Sequence, residues 1–321
     1  GNRPQFRLPK RRPVLHTADM DSDLANLLTS RGPLTGAELA AAGGFDDILS
    51  LWRRCHGPGL RLRTTGRRYL RLDHAVDGYA RLSPSIRREF LTYTLIGLDG
   101  QEDAIESRAA ALERDAARIS ADKLNLARDS VCMALAALPD EPRLLQDAAF
   151  MIAGDITYGM AHRVPRPEKS SGRLVRGSDL DIIIVVKDDL PPDITAALDD
   201  AIYRQKHYLL THPDHQEEID YVLKPLEKVR RQLAFDRFDH MVACKILCEC
   251  QPLYGSPFLF REVMQLVTDS GVREKINALE ESADRFRREG ERLLLDPAAT
   301  AASARPPLDL FYTREEGDEI Y

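Results

Sequence analysis

Residues 177–186 read Gly-Ser-Asp-Leu-Asp-Ile-Ile-Ile-Val-Val. Five consecutive β-branched residues suit a strand buried on both faces, because Ile and Val pack well on a pleated surface. Two carboxylates, Asp179 and Asp181, stand one residue apart at the mouth of that run. In a strand, side chains i and i+2 share a face. The two carboxylates therefore aim the same way, with Leu180 turned to the core. Anions this close repel, and nothing adjacent in sequence pairs them. A hard divalent cation resolves the conflict: Mg²⁺ takes one or two carboxylates together with substrate phosphates. Two such ions clamp an in-line phosphoryl displacement.

A third carboxylate on a neighbouring strand completes a site of this kind. Residues 217–223, EEIDYVL, place Asp220 at the head of an apolar run, with Glu218 on the same face as the reserve candidate. Upstream, MIAGDITYGMAHR sets Gly154 at a strand end and Gly159 five residues on. A glycine turn there lets backbone N–H groups approach phosphate oxygens. Gly177-Ser178 lies directly against Asp179 and leaves no room for such a turn.

In this order, the pieces resemble the DNA polymerase β-like nucleotidyltransferase superfamily. They are Gly154, Asp155 and Gly159; Ser178, Asp179, Leu180, Asp181 and Ile182; and Ile219, Asp220 and Tyr221. The later ACKILCECQPLYG looks like the helix and Leu-Tyr-Gly strand of minimal and antibiotic-modifying members. The resemblance covers about residues 145–260. It implies transfer of a nucleoside monophosphate from an NTP, ATP or CTP, with Mg²⁺ or Mn²⁺ and release of pyrophosphate. Asp179 and Asp181 would hold the metals and triphosphate. Asp220 would complete the second metal site and help deprotonate the acceptor hydroxyl. Ser178 would orient the strand or touch a phosphate, and Arg176 and Lys224 are further phosphate candidates.

The chain departs from the superfamily pattern twice. Asp155 stands where a Ser is usual, and a carboxylate there repels phosphate unless it is turned away or metal-bound; Thr157 or the loop amides would then substitute. The spacer 160–177 is also long. It carries His162, Arg163, Arg166, Lys169, Arg173 and Arg176 against Glu168 alone. It reads either as a surface insertion or as a basic flap that gathers triphosphate or nucleic acid.

Charge divides the chain. Residues 1–90 hold 16 Lys/Arg against 9 Asp/Glu, a net +7, and the remainder carries −13. Helical patterns at 21–32, 33–44 and 45–57 precede GLRLRTTGRRYLRLD at 59–73, which predicts a hairpin about Thr-Gly. Three helices and a hairpin over about 20–75 resemble a winged helix-turn-helix. Arg61, Arg63, Arg67, Arg68 and Arg71 would give it a basic wing suited to phosphate, or a face that docks on the acidic body. Residues 100–138 are helix formers almost throughout and make one long or two shorter helices. The apolar stretch 144–155 reads as a strand. The tail, TREEGDEIY, is acidic and reads as mobile.

Other residues point to less specific chemistry. His207, His212 and His215, with Asp214, read as a solvated loop rather than a metal site. Cys244, Cys248 and Cys250 fall in a helical run and read as buried small hydrophobes. Five cysteines, an odd number, with no signal sequence read at the start, predict reduced thiols and a cytoplasmic setting. No apolar run is long enough for a membrane span.

The expectation is an α+β protein. Its parts are a basic winged-helix-like domain with an arm (1–95), a helical connector (96–140), a mixed-sheet nucleotidyltransferase core (141–255) and a helical C-terminal region with an acidic tail (256–321). The expected activity is nucleotidyl transfer (EC 2.7.7 type) to a macromolecular hydroxyl, an RNA 3′ end or a protein, in a toxin or defence setting. RNA or DNA would be met through the basic region. The alternative is a DNA-binding regulator whose transferase fold only senses nucleotide.

Overall fold

A computed structural model describes residues 17–296, 298, 300, 308–313 and 316–321. The expected arm at 1–14 lies outside the described residues. α1 (Thr17–Arg31), β1 (Leu34–Thr35), α2 (Gly36–Gly43) and α3 (Ile48–Cys55) open the chain. α2 starts at a capping box. The Thr35 hydroxyl accepts from the Glu38 N–H at 3.2 Å, and the Glu38 carboxylate accepts from the Thr35 N–H at 2.8 Å.

The hairpin expected over 59–73 does not form. β2 (Leu60–Thr64) and β1 both pair antiparallel with a strand far downstream, β5 (Thr94–Leu98), in the order β1-β5-β2. Between β2 and β5 the chain makes an excursion. There β3 (Tyr69–Leu72) pairs with β4 (Ala80–Ser83), and the short α4 (Ile86–Arg88) follows. The reason lies in where each arm buries its apolar face. Leu60 and Leu62 join the core of Leu28, Trp52 and Ile96, whereas Leu70 and Leu72 join Leu82, Ile276 and Ala283. Both arms alternate apolar and polar, so the local pattern does not choose their partners.

Residues 102–136 form one 35-residue helix, α5 (Glu102–Ala136). The strand expected from 144 begins later, because α6 (Glu141–Asp147) occupies its first residues and β6 (Ala148–Ala153) follows. A short ribbon, β7 (Pro165–Pro167) and β8 (Leu174–Arg176), orders the long spacer. β9 (Leu180–Val186), α7 (Pro192–Thr211), β10 (Ile219–Pro225), α8 (Leu226–Gln232), α9 (Phe238–Glu249) and β11 (Gln251–Gly255) follow. They complete a mixed sheet in the order β10-β9-β6-β11, with β9 and β10 parallel and the other pairs antiparallel. A parallel pair needs a crossover, and α7 supplies it.

Both faces of this sheet are covered, which is why the Ile-Ile-Ile-Val-Val run is apolar without alternation. Leu180, Ile182, Ile184 and Val186 pack toward α5 and α7. Ile183 and Val185 pack toward α8, α9 and α10 (Pro257–Asp269). Cys244 and Cys250 lie in the latter core, and all five thiols are free. α11 (Val272–Leu295) then runs back beneath β3–β4 to the N-terminal core, where Leu294 meets Trp52 and Phe311. The fold is α+β. Among the described residues no helix is long and apolar enough to cross a membrane.

Two acids of the tail, Glu316 and Glu319, are built into the molecule, whereas Asp318 is exposed. Glu316 and Glu319 are each 4% exposed. Glu316 accepts from the Ser85 N–H at 2.8 Å and pairs with Arg81 and Arg88, and Glu319 also pairs with Arg88. The Ile320 N–H donates to the Pro165 carbonyl at 2.7 Å. Two buried guanidiniums need counter-charge, and the tail brings it.

Candidate functional site

β6 ends where β9 and β10 begin, and the walls of a cavity of about 430 Å³ rise from that edge. Asp181 and Asp220 are register partners across the parallel pair, so their side chains share a face, and both line the cavity. Gly154 closes the floor at φ +73. A Cβ there would stand 2.1 Å from the Asp181 Oδ2. Only glycine takes this conformation and this approach together. Burial, opposed by Arg71 and reinforced by Asp220, Asp155 and Glu249, pushes the Asp181 carboxyl up to about 7.

The opposite wall comes from elements distant in sequence. α9 contributes Phe238, Lys245 and Glu249, and the β3–β4 ribbon contributes Arg71, Asp73 and His74. Lys245 Nζ donates to Glu249 at 2.5 Å. Glu249 also accepts from the Tyr158 hydroxyl and, at 3.4 Å, from the Gly154 N–H. The Tyr69 and Tyr158 rings stack at 4.2 Å and Arg67 lies over Tyr158, which ties the ribbon to the glycine turn. Sequence reasoning missed Glu249, Lys245, Asp73, His74 and Phe238, and gave Arg71 to a basic wing or docking face without linking it to these acids. Nothing local marks that β3 will reach this edge. Lys245 and Glu249, at i and i+4 on a helix, carry only the signal of an ion pair.

Asp179 precedes β9 and faces a smaller cavity of about 70 Å³, which Asp181 also lines. It is bound by Arg166 Nη2, which reaches Glu218 as well, at 2.8 Å. Among the described residues no group of three or more His, Cys, Asp or Glu side chains is arranged to hold a metal ion. The donor chemistry nevertheless fits a hard cation: two in-register carboxylates, one with its anionic form disfavoured by burial and by neighbouring acids. Asp179, the other expected ligand, is paired with Arg166.

The turn at Gly154 differs from expectation. Burial works to raise the Asp155 carboxyl, but Arg88, 3.8 Å away, and hydrogen bonds from Tyr69 and Ser178 hold it at about 2. Asp155 is thus turned into the protein as the anchor of the β3–β4 excursion. Ser178 is used by the same contact. Its hydroxyl donates to Asp155 at 2.7 Å and accepts from the His162 N–H at 3.2 Å. Both residues edge the smaller cavity.

Four expected phosphate contacts line neither cavity. The Thr157 hydroxyl donates to the Gly154 carbonyl at 2.8 Å, and Gly159 ends the turn at φ +68. Arg176 points to Gln216 and the Asp214 carbonyl. Lys224 sits roughly 13 Å along β10 from Asp220 at strand rise, donating to Gln232 at 2.8 Å. At the end of α7, the rings of His212 and His215 lie 5.2 Å apart beside Tyr208 and form no metal group among the described residues.

A scan against protein-family models, and searches of curated proteins and of solved structures, match nothing to this chain.

Proposed function

We propose that this protein transfers a nucleoside monophosphate from an NTP to a hydroxyl of a macromolecule, with release of pyrophosphate. The observation that carries the reading is Asp181 facing Asp220 in register at the wall of a 430 Å³ cavity, with Gly154 pressed on the Asp181 carboxylate. That volume takes a nucleotide. Asp181 and Asp220, joined by Asp179, would hold Mg²⁺ or Mn²⁺. A bound ion supplies charge neutralisation for the triphosphate and activation of the acceptor hydroxyl.

The chain's own residues do the rest. Arg71 and Lys245 bring positive charge to the phosphates. His74 and Phe238, whose rings pack at 3.5 Å with a 31° tilt, put aromatic groups at the wall for a base. Asp220 is exposed at the rim and accepts the acceptor's proton as its oxygen bonds to the α-phosphorus and the bond to the β-phosphate oxygen breaks. The substrate is ATP or CTP and the acceptor an RNA 3′ end or a protein, in a toxin or defence setting. The three-helix unit with sheet β1-β5-β2 resembles a winged helix in which the excursion 65–93 replaces the wing.

The alternative, a DNA-binding regulator, needs the basic wing to face outward. Its arginines are paired with acids, Arg61 to Asp99 and Arg63 to Glu106 at the exposed surface and Arg68 to Glu89 and Glu291 in a partly buried cluster. The test is incubation with each α-labelled NTP, Mg²⁺ and mixed cellular RNA or protein. The expected result is label transfer that falls by at least about 100-fold in Asp181→Ala and in Asp220→Ala. No transfer and no pyrophosphate with any NTP, together with sequence-specific DNA binding, would favour the regulator.

A further inference from the structure

The small cavity under the β7–β8 ribbon has a charge pattern that the sheet acids alone do not explain. Arg71, Arg88, Arg166 and Lys169 line it, against Asp155, Asp179, Asp181 and Glu316. Arg88 is held by Glu316 and Glu319, and Asp155 is saturated by Tyr69 and Ser178. Those groups are fixed structure. What can change is Arg166, whose Nη2 serves Asp179 and Glu218 while its Nε donates to the Gly177 carbonyl at 3.2 Å. Lys169, exposed next to it, has no ionic partner among the described residues. The ribbon that carries both is ordered: buried Glu168 accepts from the Ser170 and Ser171 N–H groups at 2.9 and 2.7 Å.

We propose that this cavity receives the leaving pyrophosphate, and that Arg166 is exchanged between Asp179 and that anion. The proposal rests on the nucleotidyl-transfer reading. At about 70 Å³ the cavity has room for several waters at roughly 10–15 Å³ each, hence for phosphate groups but not for a nucleoside. It shares Asp181 and Arg71 with the larger cavity, so the phosphate chain of a nucleotide bound there runs into it. When a divalent cation takes Asp179 and Asp181, it cancels their charge and leaves Arg166 with Glu218 alone. The guanidinium then meets pyrophosphate bidentately, by re-aiming a side chain still anchored at Gly177. Arg166 is thus a positioning residue for Asp179 before the metal binds and an anion ligand after it.

The exchange predicts opposite effects on two binding equilibria, neither read through turnover. Mn²⁺ is titrated by loss of its free electron paramagnetic resonance signal, and magnesium pyrophosphate by calorimetry. Arg166→Ala should bind Mn²⁺ about threefold or more tighter and magnesium pyrophosphate about tenfold weaker, the scale of one lost charge-assisted contact. Arg166→Lys, which keeps the charge and loses the two-pronged contact, should bind magnesium pyrophosphate more weakly than wild type and more tightly than Arg166→Ala. Exposed Lys169→Ala, which tests the cavity without touching the core, should lose pyrophosphate affinity and leave Mn²⁺ unchanged. A merely structural Arg166 would weaken both ligands in Arg166→Ala, and that result, or no change in either, overturns the proposal. Mn²⁺ binding equal in wild type and Arg166→Ala sinks the exchange alone. Failure of the wild type to bind Mn²⁺ at all sinks the nucleotidyl-transfer reading with it.

Discussion

At Asp181, burial and the nearby acids outweigh Arg71 and raise the carboxyl to about 7. The unfolded chain releases that proton near its ordinary value of 3.8. Between those two values the folded state binds more proton, so this group costs stability as pH rises through the window. Above 7 the cost is fully present, and a divalent cation held there would relieve it. Asp181→Asn should therefore raise Tm at pH 8, by about 2–4 °C for each kcal/mol relieved in a chain of this size, with no gain at pH 4. Mg²⁺ should raise the wild-type Tm more at pH 8 than at pH 6. Differential scanning fluorimetry across pH reads both, and a Mg²⁺ effect independent of pH would refute the assignment. At Asp155 the balance runs the other way, because Arg88, Tyr69 and Ser178 satisfy the carboxylate. The same residue type thus serves a site at one position and an anchor at another. The one-letter code does not distinguish them, because the difference lies entirely in the partners.

Elements show the same division. β9 and β10 were legible because their signals are local: an unbroken β-branched run between turn residues, and an Asp heading an apolar stretch. α2 falls on the helical pattern at 33–44, and the capping box at Thr35 that starts it needs only residues three apart. The 59–73 hairpin was misread because strand pairing depends on which core receives each arm. The tail was misread because its acids were weighed alone, without the buried Arg81 and Arg88 they neutralise. Burial works to raise the Glu316 carboxyl, yet Arg88, Arg81 and the Ser85 contacts hold it at about 2. Its contribution is present above its ordinary value of 4.5 and is lost as pH falls toward 2. Glu316→Gln should cost about 3 kcal/mol at pH 7, the scale of a broken buried pair, with the loss vanishing near pH 2. Urea unfolding at several pH values measures it, and an unchanged midpoint at pH 7 would contradict the buried network.

Across the whole molecule, the basic N-terminal region is used to dock on the acidic remainder. Arg68 reaches Glu291 of α11, Arg63 reaches Glu106 of α5, and Arg71 enters both cavities. The paired guanidiniums are therefore poor sources of counter-ion release on nucleic acid. Double substitution Arg61→Ala/Arg63→Ala should change the affinity for duplex DNA, read by fluorescence anisotropy at fixed salt, by less than about twofold. A tenfold loss would return those arginines to a nucleic-acid surface. What the amino-acid sequence alone determined was the α+β class, the helices α1–α3 and α5, and the strands β9 and β10 with the positions of their acids, since periodicity, caps and turns act over a few residues. Tertiary structure alone decided that Asp155 and Ser178 bind each other, that Arg166 holds Asp179, that β3 crosses to the Asp181 edge and that Glu316 and Glu319 of the tail are buried. These are choices of partner between groups as much as 228 residues apart. They depend on which surfaces folding brings together, and no local pattern of residues encodes that.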